Sequence, residues 1–190
     1  MNKIELEQYQ ESFMNSEIWM LVFTASFQRA NVYVSEADEK EKKSFKFMTA
    51  GHIDSFISSY ANNDINDDEH ISNIKSIENY SKHFDHLFNG GKINFGIAQK
   101  MLNLYLKYLW CLGRIKEPPH FPVDRIIQQE LNLEAGGLKL PKLKIEPWTK
   151  FSDESYYLEI INHARIICAL DDASDKLSLA QLELKLFNRK

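Results

Sequence analysis

The sequence predicts a mainly α protein, a helical bundle forming a single domain over residues 1–190. Apolar residues recur at three- and four-residue steps along most of the chain, and the alternation of a half-buried strand is nearly absent. Composition agrees: 44% hydrophobic and 26% charged residues across 190 positions are ordinary globular values, enough for one buried core.

Each element has its own signal. Ile18, Leu21, Val22, Ala25 and Phe27 mark a first helix. The charged run "SEADEKEKKSF" (35–45) reads as a helix start or solvated loop, with Ser35 and Asp38 as an approximate capping box. Phe45, Phe47, Met48 and Ile53 carry the helix onward. "SSYANNDINDDEH" (58–70) reads as a loop that caps the next helix at Asp67 or Asp68; it lacks the Gly and terminal Glu of a calcium loop. Ile71, Ile74, Ile77 and Tyr80 continue through Phe84, Leu87 and Phe88 to a stop at "NGG" (89–91), where Asn and Gly tolerate positive φ. His83 and His86 suit that helix's negative end, and no third metal ligand converges on them in the sequence. Helix 97–112 is hydrophobic almost all round and therefore central. Helix 124–133 follows, then "LEAGGLKLPKLKIEPW" (133–148) as a loop or short extended excursion. Tyr156, Ile160, Ile161, Ala164, Ile167 and Cys168 mark one final helix, and 177–187 a second.

Several function classes are excluded by what is missing. Lys107 interrupts the longest apolar stretch and the N-terminal segment is acidic, so neither a membrane span nor a secretory signal is expected, and the expected location is cytoplasmic. Cys111 and Cys168 lie in apolar helical patterns, which predicts buried free thiols and no disulfide, zinc or iron–sulfur site; no metal or cofactor is expected. Charge is uneven. Residues 1–91 hold 8 Lys and Arg against 15 Asp and Glu, residues 92–150 hold 10 against 5, and residues 151–190 hold 5 against 7. The basic middle third could meet phosphate.

That middle third contains "NFGIAQKMLNLYLKYLWCLG" (94–113). Lys100, Asn103 and Lys107 share one helical stripe, which is either the helix's wet side or a working face. Gly96 opens the helix just after a Gly-terminated one, giving a helix-hairpin-helix element around residues 84–112 whose backbone amides could hold a phosphate.

Over residues 89–131 the sequence resembles the helix-hairpin-helix base-excision DNA glycosylases. Gly96-Ile97-Ala98-Gln99-Lys100 and Asn103 follow the order of that family's L-P-G-V-G-x-K hairpin. Ala98 stands at its second glycine and Phe95 at its proline. Phe121-Pro122-Val123-Asp124 is similar to the family's apolar-Val-Asp segment, 24 residues beyond Lys100. The resemblance implies a DNA-binding protein and a glycosylase/lyase with Lys100 and Asp124 as catalytic residues. It also implies DNA contacts from Gly96, Ala98, Gln99, Asn103, Lys107 and Arg125. A desolvated lysine amine can attack C1′ of a flipped nucleotide and form a Schiff base, while a carboxylate takes its proton or steadies the developing charge. Asp124 reads equally as a helix N-cap, and His120 as a loop histidine. Two other readings stand beside this one: a non-enzymatic module that binds nucleic acid or protein, and a helical scaffold whose Tyr105, Tyr108 and Trp110 pack in a core or a homodimer interface.

Overall fold

The structure is a computed structural model and describes residues 2–170 and 176–187. It contains α1 (Lys3–Phe27), α2 (Glu39–Asn62), α3 (Asp67–Tyr80), α4 (Phe95–Cys111), α5 (Arg125–Gly137), α6 (Ser155–Leu170) and α7 (Leu179–Leu186). Two 3₁₀ segments, Ser81–Leu87 and Trp148–Lys150, join them, and no strand occurs among the described residues. The fold is mainly α. No described helix is long and apolar enough to cross a membrane.

α4 is the axis of the bundle. Every residue in it except Leu104, Tyr108, Trp110 and Cys111 is buried, as a helix apolar on all sides must be. It packs against α1, α3 and the 3₁₀ turn at Trp148, while α6 packs against α5 and α7. Tyr105 belongs to this core, stacked on Trp19 at 4.1 Å between centroids. The thiols lie elsewhere than expected: Cys111 is exposed, because the last turn of α4 runs past Leu109 out of the core, and Cys168 on α6 is half-buried; the two form no disulfide.

Short polar side chains set the helix starts. Asp38 caps α2 at 2.8 and 3.0 Å. Asn66, rather than Asp67 or Asp68, caps α3 at 2.9 Å, which leaves Asp67 free to turn toward α6. α3 ends at Tyr80. There the buried Ser81 hydroxyl donates to the Glu78 carbonyl (2.6 Å) and accepts from the Ile93 amide (3.0 Å), tying the helix end to the segment that leads into α4. The His83 ring meets the Tyr80 carbonyl at 2.8 Å, as a histidine at a helix C-terminus should.

Two extended segments cross the bundle without forming strands, held by side-chain amides that mimic a peptide unit. Gln99 of α4 donates to the Val123 carbonyl (2.8 Å) and accepts from its amide (3.1 Å). Asn132 does the same for Leu143, at 2.9 and 2.7 Å. Gln128, one turn earlier on α5, does it for Glu146, at 2.8 and 2.9 Å. Backbone polar groups that would otherwise lack partners are satisfied this way, so the segments stay fixed although no ladder exists.

Candidate functional site: a lysine–aspartate pocket

Lys100 and Asp124 come together. The Lys100 Nζ lies 3.4 Å from Asp124 Oδ2 and 3.6 Å from the centre of the Trp148 ring, and only 5% of the residue is exposed. Asp124 has two tasks at once: its Oδ1 accepts from the amides of Ile126 and Ile127 (2.9 and 3.1 Å), capping α5, and its Oδ2 faces the amine. The two residues line a pocket of about 400 Å³ with Leu104, Tyr108, Pro122, Ile126 and Ile127. That is the size range of small-ligand sites. Burial pushes the Lys100 ammonium below the usual lysine range, and Asp124 opposes part of that shift. The amine is thus nearer to its neutral, nucleophilic form than a surface lysine.

A second pair stands one to two turns along α4. Lys107 bonds Glu183 of α7 at 2.6 Å, both side chains buried, with its Nζ 3.9 Å from the Phe187 ring centre. Burial raises the Glu183 pKa against the pull of Lys107. Lys107 lines the same pocket, but its charge is already neutralised by Glu183.

The helix-hairpin-helix element expected around residues 84–112 is not seen as such: α3 ends at Tyr80, a 3₁₀ segment (Ser81–Leu87) and residues 88–94 lead to α4, and the start of α4 is not an exposed phosphate clamp. Gly96, Ala98, Gln99 and Asn103 are fully buried, so none of them reaches a nucleic acid in this structure. The amides that opened the possibility are consumed internally: Gly96 donates to the Phe151 carbonyl (3.1 Å), Ile97 to the Asn94 side chain (3.0 Å) and Ala98 to the Asn94 carbonyl (3.1 Å). The glycine serves a close approach instead. A Cβ on Gly96 would fall 1.7 Å from the Trp148 carbonyl oxygen, and Asn94 fastens the same turn through the Thr149 carbonyl at 2.6 Å. The turn so fixed carries the indole beneath Lys100. Of the expected contacts, Arg125 alone is exposed.

Gln99 and Asn103 have positional roles, and their hydrogen bonds fix the proton arrangement of a buried network. The Val123 backbone forces Gln99 to turn its oxygen toward the Val123 amide. Asn103 must then present its NH₂ to that oxygen (3.3 Å) and to Tyr157 (2.9 Å), and its carbonyl to His70 Nε2 (2.9 Å). His70 therefore carries its proton on Nε2 and accepts at Nδ1 from Tyr60 (2.9 Å), which in turn accepts from Asn73 (3.1 Å). Tyr157, already accepting, donates to His120 Nδ1 (2.9 Å), and His120 Nε2 donates to Asp67 (3.1 Å), which Arg165 also holds at 2.6 Å. Every donor points one way, from Asn73 toward Asp67. Both histidines are neutral: burial drives His70 well below the usual histidine range and His120 down to about 4. His120 is a loop histidine, as expected, in the segment between α4 and α5, but it is fully buried there as a node of this network.

Sequence reasoning passed over Trp148, Tyr157, His70 and Glu183. Each is distant in sequence from the α4 residue it meets, and only the amphipathic spacing of 177–187 hinted that Glu183 could face inward. Among the described residues no three His, Cys, Asp or Glu side chains converge as a metal set. No protein family, curated protein or solved structure matches the chain.

Proposed function

We propose that the Lys100–Asp124 pocket is the catalytic site of a DNA base-excision enzyme, a glycosylase with lyase chemistry in which Lys100 is the nucleophile. The observation that supports this is the pairing of a desolvated amine with a carboxylate 3.4 Å away at a pocket, the arrangement the helix-hairpin-helix glycosylase resemblance calls for. Asp124 takes the Lys100 proton. The freed lone pair attacks C1′ of a flipped nucleotide, the bond from C1′ to the base nitrogen breaks, and the departing base takes up the proton held by Asp124. The C1′–O4′ bond then breaks as the ammonium now on C1′ gives one proton to the ring oxygen, leaving a protonated imine between Lys100 and C1′. Backbone binding falls to exposed cations that make no ion pair among the described residues, Arg125 beside the catalytic aspartate and Lys139, Lys142 and Lys150 on the segments after α5, and not to the start of α4. Gln99 is a positioning residue: its grip on Val123 sets Asp124 opposite the amine.

Borohydride trapping tests the proposal. Wild-type protein mixed with an abasic-site or damaged-base duplex should yield a reduced, covalent protein–DNA adduct, and Lys100→Gln should yield none while keeping its helical circular dichroism. Asp124→Asn should slow base release by roughly 10²-fold, the scale of a positioned acid or base. A wild-type protein that forms no adduct with any such duplex sinks the reading.

One observation favours a second reading, a non-enzymatic helical scaffold. Lys100 and Lys107 both already have carboxylate partners within the chain, and the amides at the start of α4 are spent. On that reading Lys100→Gln changes stability and nothing else. A scaffold that pairs with its own copy needs an exposed apolar face, and Tyr105 in the α4 core does not supply one; α1 does.

A further inference from the structure

None of residues 3–17 of α1 is buried, yet the segment is not polar. Leu6, Tyr9, Phe13 and Met20 fall at steps of three, four and seven residues, the spacing of one seam along a helix. Tyr9 is 69% and Phe13 62% exposed. Met20 is also a wall of an open groove of about 920 Å³ between α1 and α2, whose other side presents Phe47 and Gly51. Phe47 is 82% exposed, and a Cβ built on Gly51 would meet nothing within 4 Å. Aromatic knobs and a bare hollow thus lie on one continuous surface.

Charge is divided in the same way. Residues 3–17 hold Lys3 against Glu5, Glu7, Glu11 and Glu17, whereas the first half of α2 exposes Lys40, Lys43 and Lys46 beside two acids that are already partnered, Glu39 with Lys42 and Glu41 with His86; Glu11 and Lys46 both line the groove. Among the described residues neither Glu11 nor Glu17, nor any of these three lysines, makes an ion pair. Knob with hollow and acid with base on one patch is self-complementarity, which a two-fold interface requires and a surface for an unrelated partner does not.

We propose that this face binds a second copy of the chain, the acidic seam of α1 from one protomer lying in the α1–α2 groove of the other, against Phe47, Gly51 and the α2 lysines. None of the residues lining the groove belongs to the Lys100 pocket, so the proposal stands apart from the catalytic one.

Sedimentation equilibrium tests it. Wild-type protein should pass from the mass of one chain to twice that mass between about 1 and about 100 µM, a range typical of modest homodimers. Phe13→Glu, Phe47→Glu and Gly51→Arg should each remain at the mass of one chain with unchanged circular dichroism; the third adds its side chain where the fold leaves open space. Glu11→Lys with Glu17→Lys should weaken dimerisation at least about tenfold, and adding Lys43→Glu with Lys46→Glu should restore it. A single-chain mass at every concentration, dimerisation that survives any of the three groove variants, or charge reversal that fails to restore would each overturn the proposal.

Discussion

Gly96→Ala should destabilise the protein far more than an alanine in a helix ordinarily does. The new Cβ would lie 1.7 Å from the Trp148 carbonyl oxygen and 2.7 Å from its carbonyl carbon, and real Cβ atoms essentially never approach closer than 3.0 Å. Both obstacles are backbone, so no side chain can swing away. The turn at Trp148 must lift off α4, which breaks the Gly96 to Phe151 bond (3.1 Å) and the Asn94 to Thr149 bond (2.6 Å). Overpacking a tight site costs about 1–3 kcal/mol and each lost hydrogen bond about 1, giving about 3–5 kcal/mol in all. For a chain of this size that is a fall in Tm of roughly 6–20 °C. Gly51→Ala is the matched control: it too is a helical glycine, but nothing lies within 4 Å of the added carbon, so it should gain the roughly 0.5–1 kcal/mol of improved helix propensity. Urea unfolding followed by circular dichroism measures both. If Gly96→Ala loses less than about 1 kcal/mol, the account of how Trp148 is seated under Lys100 is wrong.

Acid should weaken the fold before the carboxylates titrate. His70 and His120 are neutral when folded, His120 with a pKa of about 4, so between about pH 6.5 and 4 the unfolded chain binds protons that the native one does not, and stability falls as pH falls through that window. His120 alone contributes a loss of about 2 kcal/mol at pH 5. Asp67, lowered chiefly by its hydrogen bond from Arg165, extends the loss below that window, while Asp54 and Glu183, raised by burial, offset part of it. Equal urea midpoints at pH 7.5 and pH 5 would contradict the neutral assignment. The buried Lys107–Glu183 pair makes a different prediction: Glu183→Gln or Lys107→Met alone should cost about 3–5 kcal/mol by stranding the other charge, whereas Lys107→Met with Glu183→Leu should return to within about 1 kcal/mol of wild type. Additive losses in the double variant would show that the two do not act as a pair.

The helical class and the central place of α4 were legible because both follow from local periodicity: apolar residues on every side of one helix leave it nowhere to go but the middle. The approach of Lys100 to Asp124 was legible through the motif alone. The direction of the stripe was not. Spacing places Lys100, Asn103 and Lys107 on one face but cannot say whether that face meets water, and here all three are buried. What turns the stripe inward are partners remote in sequence: Asp124 for Lys100, His70 and Tyr157 for Asn103, and Glu183 for Lys107. Each single partner looks unremarkable in its own segment. The same holds for His120, whose proline-flanked context reads as loop and whose burial depends on Asp67 and Tyr157, 53 and 37 positions away.

The N-terminus of α4 shows why a glycine-bearing helix start and a phosphate-holding function can separate. A helix start with a glycine and free amides can hold any acceptor that reaches it, and here the acceptors nearest in space are carbonyls of the chain's own turn at Trp148–Lys150 and Phe151. Seating that turn places the Trp148 ring 3.6 Å from the Lys100 amine, and Gln99, one residue before the lysine, fixes Val123 and so Asp124. The first two turns of α4 are therefore spent on assembling the amine, its carboxylate and its aromatic floor. A phosphate could occupy the Gly96 amide only by expelling the turn that builds the pocket. A ligand in the Lys100 pocket accordingly meets Lys100, Leu104, Tyr108, Asp124 and Ile126, and not the amide of Gly96.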